Sequence, residues 1–321
     1  VHTQYSICEG ALKIVDLAVH CTSNNVASVG ISDSFNMCGV LEFSQEISKA
    51  GCQPIIGTQI NFSFSENNLE KMGKISLVAK NDTGYKNLLK LSSSSYLSIE
   101  KNEDPHCDIQ ELIDNSDGLI VLVGASHSLL SSLVLENNIL DSELLLQKIQ
   151  KSFEGNLYIE IQRHNEPHEQ ALETQLLYFS EKFSIPIIAT HEVFYLKKDM
   201  YEAHDAYICV GQKTYVNDIK RLRYSEEHYF KSDYEMSELF LDLPEALENN
   251  KNLALRCSYR PLTSKPMLPN FNTESSNVND ELKINANKGL EDRLKNFILI
   301  NIADEDQRLA TKQVYKERLN Y

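Results

Sequence analysis

Short runs of apolar, mostly β-branched residues alternate along this chain with longer stretches of helical periodicity. Amphipathic patterns between the runs predict helices, for example over 12–23, 39–50 and 169–183. Strands that alternate with helices are typical of a mostly parallel α/β sheet or barrel. With a further strand implied at the start of the chain, we expect a barrel of about seven or eight strands. The runs are 26–31, 53–57, 75–79, 119–123, 157–161 and 187–189.

The alternation stops after residue 195. Two helices are predicted to follow a polar stretch, the first with Ser232 and Glu235 at the spacing of a capping box and the second with Pro244 in its first turn. Three prolines within 260–271 predict an extended linker. A new helical pattern begins at Asp280. We therefore predict three parts: a barrel with its C-terminal helices over 1–258, a linker over 259–279 and the start of a second domain over 280–321.

The charge of the chain argues against bulk nucleic-acid binding. It has 46 acidic and 31 basic residues, a formal net charge of -15, which is the wrong sign for a protein that wraps a phosphate backbone. No run approaches the roughly 20 apolar residues that span a bilayer, and no secretory signal is evident, so we expect a cytoplasmic protein without membrane contact. The seven scattered cysteines lack a Cys-x-x-Cys pair and are predicted to be free thiols.

Polar residues follow several predicted strands at the end where barrels carry their reactive groups. Together with His2 and Glu9 they could form a metal site rich in oxygen and nitrogen ligands. The alternative is that they are ordinary polar loop residues, because no two of them show a metal-specific spacing. The residues are Asp33, Ser34, Asn36, Gln59, Gln162, His164, His191 and Glu192.

Three further features have a functional and a structural interpretation. His127 could line an anion-binding turn or lie at the surface. His164 and His168 could share a metal or flank a solvated helix start. The basic run 213–223 could contact a phosphate backbone or form a solvated loop. The glycine-rich nucleotide loops and the Gly-x-Ser-x-Gly elbow are absent from the sequence.

Nine stretches in register resemble one family. They are similar to the N-terminal region of the alpha subunit of bacterial DNA polymerase III, whose first module is a PHP (polymerase and histidinol phosphatase) domain. The resemblance implies a distorted seven-stranded β/α barrel of the PHP type, followed by a linker and the first helices of the polymerase core. In this family the aspartates that bind catalytic magnesium lie beyond residue 321, so this part is not expected to polymerise DNA. The stretches are 1–10, 31–39, 54–57, 79–89, 158–162, 189–196, 224–232, 242–247 and 289–294.

An intact PHP domain binds a cluster of metal ions at the barrel mouth, and the resemblance allows the ligand positions to be compared. Ligand chemistry is kept at His2, Glu9, Asp33 and Glu192, whereas it is lost at Ser34, Gln59, Lys74, Ala125 and Phe194. A lysine at a ligand position repels cations and can only donate hydrogen bonds. We therefore predict a vestigial site without metal, cofactor or catalytic residues. We also predict that Lys74 pairs with Asp33, Glu9 or Glu192.

The resemblance also implies partners and an activity for the parent protein. The parent would be a magnesium-dependent DNA polymerase of DNA replication, and it would contact DNA. This module would be a scaffold for the rest of the polymerase core and for the separate proofreading exonuclease subunit. The alternatives are an active metal-dependent phosphoesterase, including an intrinsic 3′–5′ exonuclease, and a PHP protein with no polymerase attached. The polar start without methionine and the uncapped helix at the end lead us to expect part of a longer protein.

Overall fold

The computed structural model describes residues 1–66, 69–100, 103–268 and 277–320. The chain divides into two compact units, Val1–Thr263 and Ser264–Tyr321. The division falls within the predicted linker, of which residues 269–276 lie outside the described residues. No helix in the described ranges has the length and apolar character needed to cross a bilayer.

The first unit is built around a curved sheet of seven strands. The order is β1-β2-β3-β5-β6-β7, and the short β4 pairs with β2. Four of the pairings are parallel, but β3 runs antiparallel to both β2 and β5. The strands are β1 (Ser28–Ser34), β2 (Gln53–Glu66), β3 (Leu69–Ala79), β4 (Cys107–Asp108), β5 (Leu119–Val123), β6 (Leu157–Ile161) and β7 (Ile187–Ala189).

The first residues of the chain join the two edges of this sheet. The Val1 nitrogen donates to the Gly30 carbonyl at 2.8 Å, and the Ser32 N–H donates to the Val1 carbonyl at 2.9 Å, so this segment runs along β1. The His2 N–H donates to the Val193 carbonyl at 2.8 Å, on the segment that follows β7. These bonds confirm the predicted seven-stranded β/α barrel in a distorted form, with a mixed rather than a uniformly parallel sheet.

Helices cover the outside of the sheet, which explains why β5 and β6 are buried along their whole length. The predicted helices at 12–23, 39–50 and 169–183 are present within two residues of the expected bounds. The helices of this part are α1 (Ile14–Ser23), α2 (Val40–Lys49), α3 (Asp82–Leu97), α4 (Ile109–Asp114), α5 (Leu129–Leu135), α6 (Ile139–Ser152) and α7 (Glu169–Phe183).

Within the first unit, three α-helices follow the last strand: α8 (Tyr201–Gln212), α9 (Asp233–Leu239) and α10 (Pro244–Arg256). The predicted capping box is present at the start of α9, where Ser232 and Glu235 bond each other's backbone. Pro244 occupies the first turn of α10 as expected. Helix α8 lies in a stretch predicted only to be mixed and polar, because its buried residues are a histidine, an aspartate, an isoleucine and a cysteine rather than an apolar stripe.

The second unit is helical where it is described. It contains α11 (Val278–Arg293), a π-helical turn (Leu294–Ile298), a 3-10 turn (Leu299–Asn301) and α12 (Glu305–Asn320). The predicted helix from 280 to 302 therefore ends its regular α-helical part at Arg293. Of the predicted apolar face, Leu294 is buried, whereas Leu282 is exposed.

Candidate functional site

The barrel mouth gathers the predicted ligand positions. Asp33 and Ser34 end β1, and Gln59 lies beside Ser34 in the parallel register of β1 and β2. Lys74 enters from β3, Glu192 follows β7, and His2 lies on the segment that joins the sheet edges. The side chains of these residues form three contacting groups, organised around Asp33, Glu9 and Glu192.

The carboxylate of Asp33 is held by donors of the protein itself. It is buried and accepts from the Thr3 backbone N–H at 2.6 Å, the Thr3 hydroxyl at 2.7 Å and the Ser6 hydroxyl at 2.7 Å. A carboxylate offers about four lone-pair sites, and three are filled here. Asp33 therefore fastens the loop that starts at Thr3 to the end of β1.

The second group is an ion pair between Lys74 and Glu9. The Lys74 Nζ lies 3.1 Å from Glu9 Oε1 and 3.1 Å from the Ser34 hydroxyl oxygen, and the Ser34 hydroxyl donates to Glu9 Oε2 at 2.5 Å. The ammonium also lies 5.2 Å from the centroid of the Phe35 ring. The predicted pairing of Lys74 with a mouth carboxylate is thus present, and the partner is Glu9.

The third group is centred on Glu192. Its Oε1 atom lies 3.0 Å from His2 Nε2 and accepts from Gln59 Nε2 at 3.2 Å. Burial alone would raise the pKa of Glu192, but the hydrogen bond and charge of His2, with the charge of Lys74, hold that pKa well below its usual range. The Gln59 Oε1 atom is buried without a hydrogen-bond partner in the described structure.

The two remaining lost positions contribute no ligand atoms. Phe194 is buried, and its ring centroid lies 4.8 Å from that of His2 and 4.6 Å from that of Tyr224. Ala125 lies in the turn before α5, where its carbonyl accepts from the Ser131 hydroxyl at 2.6 Å. An apolar ring and a methyl group therefore stand at the two positions where the resemblance leads us to expect an imidazole and a thiolate.

These donors do not fit a multi-metal cluster. Within the described ranges, no group of three or more His, Cys, Asp or Glu side chains is arranged to hold a metal ion. A metal at the mouth would have to displace the Lys74 ammonium and the hydroxyl and backbone donors of Asp33, and it would then be repelled by that ammonium. The chemistry that this arrangement supports is the fastening of loops by internal ion pairs and hydrogen bonds.

A stack of three histidines, of which His164 and His228 are buried and His191 is half-buried, lies behind Glu192. The ring centroid of His164 is 4.0 Å from that of His228 and 4.4 Å from that of His191. The Glu192 N–H donates to His164 Nε2 at 3.1 Å, which places the His164 proton on Nδ1, 3.0 Å from Glu169. Burial lowers the pKa of His164 and of His191. The His164 and His191 rings are therefore held neutral, and the stack packs against the segment that follows β7.

The stack corrects one interpretation of the sequence. His164 is fully buried, so the alternative of a solvated helix start is wrong for this residue. Its spacing to His168 does not bring the two rings onto one site, because His168 lies against the exposed His127 at 5.7 Å between centroids. His228 was not singled out from the sequence, since it stands in a polar stretch with no apolar pattern around it.

The other polar candidates bond loops to the barrel. Asn36 donates to the Tyr5 carbonyl at 2.8 Å, and Gln162 accepts from the Ser126 N–H at 3.1 Å and donates to the Thr190 hydroxyl at 3.1 Å. His191 Nε2 lies 2.8 Å from the Glu227 carbonyl. These contacts favour the structural interpretation of the strand-end residues.

Sequence reasoning missed one ionisable group inside the barrel. Glu160 is a buried residue of β6 and accepts from the Thr190 hydroxyl at 2.8 Å. Burial raises its pKa to about 7, and the nearby Glu192 carboxylate adds to this effect. The signal was present, since a lone glutamate interrupts an otherwise apolar run at 157–161.

Comparisons with known proteins give a consistent result. Residues 1–164 match the family model described as the PHP domain. The chain is 37% identical to the DNA polymerase III subunit alpha of Rickettsia conorii over 99% of its own length and 27% of that protein. It is 33% identical to the DNA polymerase III subunit alpha of Caulobacter vibrioides over 100% of its length and 28% of that protein. The chain therefore spans little more than a quarter of the length of these relatives.

Among solved structures, the chain is similar to an amidohydrolase from Chromobacterium violaceum. The TM-score is 0.38 and the sequence identity is 9%, over 62% of this chain and 93% of that chain.

Proposed function

This chain belongs to the PHP domain family, and from that premise we propose that it is the N-terminal module of a replicative DNA polymerase alpha subunit. The proposal assigns the module a structural role. The barrel supports the rest of the polymerase core and docks the separate proofreading exonuclease subunit. DNA synthesis, contact with DNA and the magnesium requirement belong to the parent protein, which would act in the cytoplasm.

One observation carries the structural role: the Lys74 ammonium pairs with Glu9 at the barrel mouth. Lys74 Nζ lies within 3.3 Å of both Glu9 oxygens and bonds the Ser34 hydroxyl as well. The other two mouth carboxylates are engaged in a similar way, Asp33 by hydroxyl and backbone donors and Glu192 by His2 and Gln59. In an intact site such carboxylates would bind catalytic cations. Here we infer that their ion pairs and hydrogen bonds stabilise the fold instead.

The relatives support the assignment to a polymerase. Both reported relatives carry the name of the polymerase subunit, and the match extends over nearly the whole of this chain rather than over its barrel alone. A PHP protein with no polymerase attached would not be expected to match through the second unit.

The test of the docking role uses the full-length subunit and its cognate exonuclease subunit. We expect a complex at micromolar concentration, measured by size-exclusion chromatography and by interferometry. A full-length protein lacking residues 1–263 is expected to lose the complex. The deletion removes one whole compact unit, and circular dichroism of the deleted protein checks that the remainder is folded. Absence of a complex with the intact subunit, or retention by the deleted one, would count against the docking role.

A further inference from the structure

A loop of the first unit exposes several large apolar side chains. It follows α8 and covers residues 213–223. The side chain of Ile219 is 97% exposed and that of Tyr215 is 84% exposed, and Val216 and the neighbouring Val210 are also exposed. Isolated apolar residues are common on protein surfaces, but a group of this size within so short a segment is typical of an interaction site.

The loop is braced from within. Its anchor is Arg221, a buried side chain whose two terminal nitrogens bond the two oxygens of Asp205 on α8 at 2.6 and 2.5 Å. The same guanidinium bonds the Val216 carbonyl at 3.2 Å, and the Thr214 hydroxyl bonds Asp218 at 3.1 Å. A bidentate arginine of this kind fixes geometry as well as charge. The apolar side chains are therefore presented outward by a preorganised loop, which lowers the entropic cost of binding.

The same surface is locally basic. Residues 206–225 contain four basic residues and one acidic residue, in a chain whose net charge is -15. Arg221 is neutralised by Asp205, whereas Lys213, Lys220 and Arg223 remain exposed. A positive patch on an acidic protein favours an acidic partner and opposes a symmetric contact between this patch and the same patch of another copy.

Two kinds of acidic macromolecule could match this surface, and the side chains favour one. Tyr215 can stack on a base, but Val210, Val216 and Ile219 are branched aliphatic groups, which pack against apolar side chains of a protein and do not stack on bases. A phosphate backbone also offers these aliphatic side chains no apolar surface to pack against. A protein segment that combines carboxylates with apolar side chains meets both features.

We propose that the 210–220 surface, formed by Val210, Lys213, Tyr215, Val216, Ile219 and Lys220, docks an acidic amphipathic segment of another protein. This proposal rests on the proposed docking role, which supplies the partner. It adds the location of the contact and the chemistry of the segment that is bound.

The test is site-specific photo-crosslinking in cells that carry the full-length subunit. The photo-reactive amino acid p-benzoylphenylalanine replaces Ile219 in one variant and Leu255 in a matched control, an aliphatic residue of α10 that is 82% exposed. We expect cross-linking at 219 to exceed that at 255 by about fivefold or more and to join one protein segment of net negative charge. A further Lys213→Glu and Lys220→Glu exchange is expected to reduce that yield about threefold or more.

The outcomes separate this inference from the proposed function. Equal yields at 219 and 255, cross-linking to DNA, or a captured segment without net negative charge would overturn the inference. An acidic segment from a protein other than the exonuclease subunit would uphold the docking surface and remove the exonuclease from the proposed function. An acidic segment of the exonuclease subunit would support both.

Discussion

At the scale of single residues, the proposed structural role of the barrel mouth depends on the ion pair between Lys74 and Glu9. Both side chains are mostly buried, so removal of one partner leaves the other incompletely solvated and unpaired. The pair also bonds Ser34, which ties together β1, β3 and the loop after Thr3. Its contribution should therefore exceed that of an exposed ion pair.

We predict that Lys74→Met lowers the free energy of unfolding by about 1–3 kcal/mol. Lys71→Met is the matched control, because Lys71 lies on the same strand and pairs with Glu136 in a more exposed position. The control is expected to cost about 0.5 kcal/mol or less. Urea denaturation of both variants measures the difference. Equal effects of the two substitutions would show that the mouth pair is an ordinary surface contact.

Glu160 gives a prediction about pH. Its pKa is raised by burial to about 7, above the value of an unfolded chain near 4.5. The folded state therefore binds this proton more tightly, so the contribution of Glu160 to stability is full below about pH 4.5 and is lost as the pH rises through 7.

The Glu160→Gln substitution should remove the loss of stability that the native protein shows as the pH rises through 7. We expect the variant to gain about 2–3 kcal/mol in the free energy of unfolding at pH 8 relative to the native protein, and little at pH 4.5. Glu154→Gln, an exposed residue three positions before the strand, is the control and should show no such dependence. Urea denaturation between pH 4.5 and 8 measures the free energy of unfolding of each protein. If this free energy changes with pH in the same way in the Glu160 variant and the native protein, the raised pKa of Glu160 is contradicted.

At the scale of elements, the start of α3 depends on one glycine at a distance in sequence. The Asn81 side chain caps α3 by accepting from the Gly84 N–H at 3.0 Å, and Gly118 packs directly against this cap. Gly118 has a φ of +71°, and a Cβ there would lie 2.3 Å from Asn81 Oδ1 and 2.4 Å from the Gly84 nitrogen. The cap and the turn before β5 therefore leave no space for a side chain.

Gly118→Ala is accordingly expected to cost about 3–4 kcal/mol, since it combines backbone strain with a clash. Gly155→Ala isolates the strain, because Gly155 has a similar φ of +67° with nothing within 4 Å of the added carbon. This control should cost about 1 kcal/mol. Thermal and urea denaturation compare the two. If Gly118→Ala costs no more stability than Gly155→Ala, the cap of α3 must rearrange to make space for the methyl group.

Elements with a strong local pattern could be predicted from the sequence, and elements defined by tertiary contacts could not. Helices α7 and α10 and the capping box of α9 follow from periodicity, a first-turn proline and the Ser232–Glu235 spacing. Helix α8 was missed because buried polar residues interrupt its apolar face, and one of them, Asp205, is buried only because Arg221 pairs with it. The antiparallel β3 was not expected, since strand direction depends on the connection rather than on composition.

The same distinction applies to the site. The resemblance located the mouth residues and correctly anticipated that Lys74 would pair with a carboxylate, because ligand positions recur at fixed places in a family. It could not show that Asp33 is held by Thr3 and Ser6, or that His164, His191 and His228 stack. Those contacts join residues that lie between 27 and 64 positions apart in the chain, and such separations leave no local pattern in a sequence.

At the scale of the whole molecule, the barrel is fastened around its mouth by its own charges. The N-terminal segment closes the sheet edges, and its His2 and Glu9 pair with Glu192 and Lys74 at the mouth. We therefore expect a module of this kind to keep its shape without a bound cation. Its outer surface is then free to support and dock other parts of a polymerase, as proposed above.

The measurement that tests this most directly is elemental analysis of zinc, manganese and iron in the full-length subunit, purified without chelator and desalted after exposure to each metal. The native protein and Asp33→Ala are compared, because any metal at the polymerase site is common to both. We predict that they differ by less than about a tenth of an ion per chain, with no change in thermal stability on chelation. One or more ions per chain that are lost in Asp33→Ala would contradict the account and identify the mouth as a metal centre.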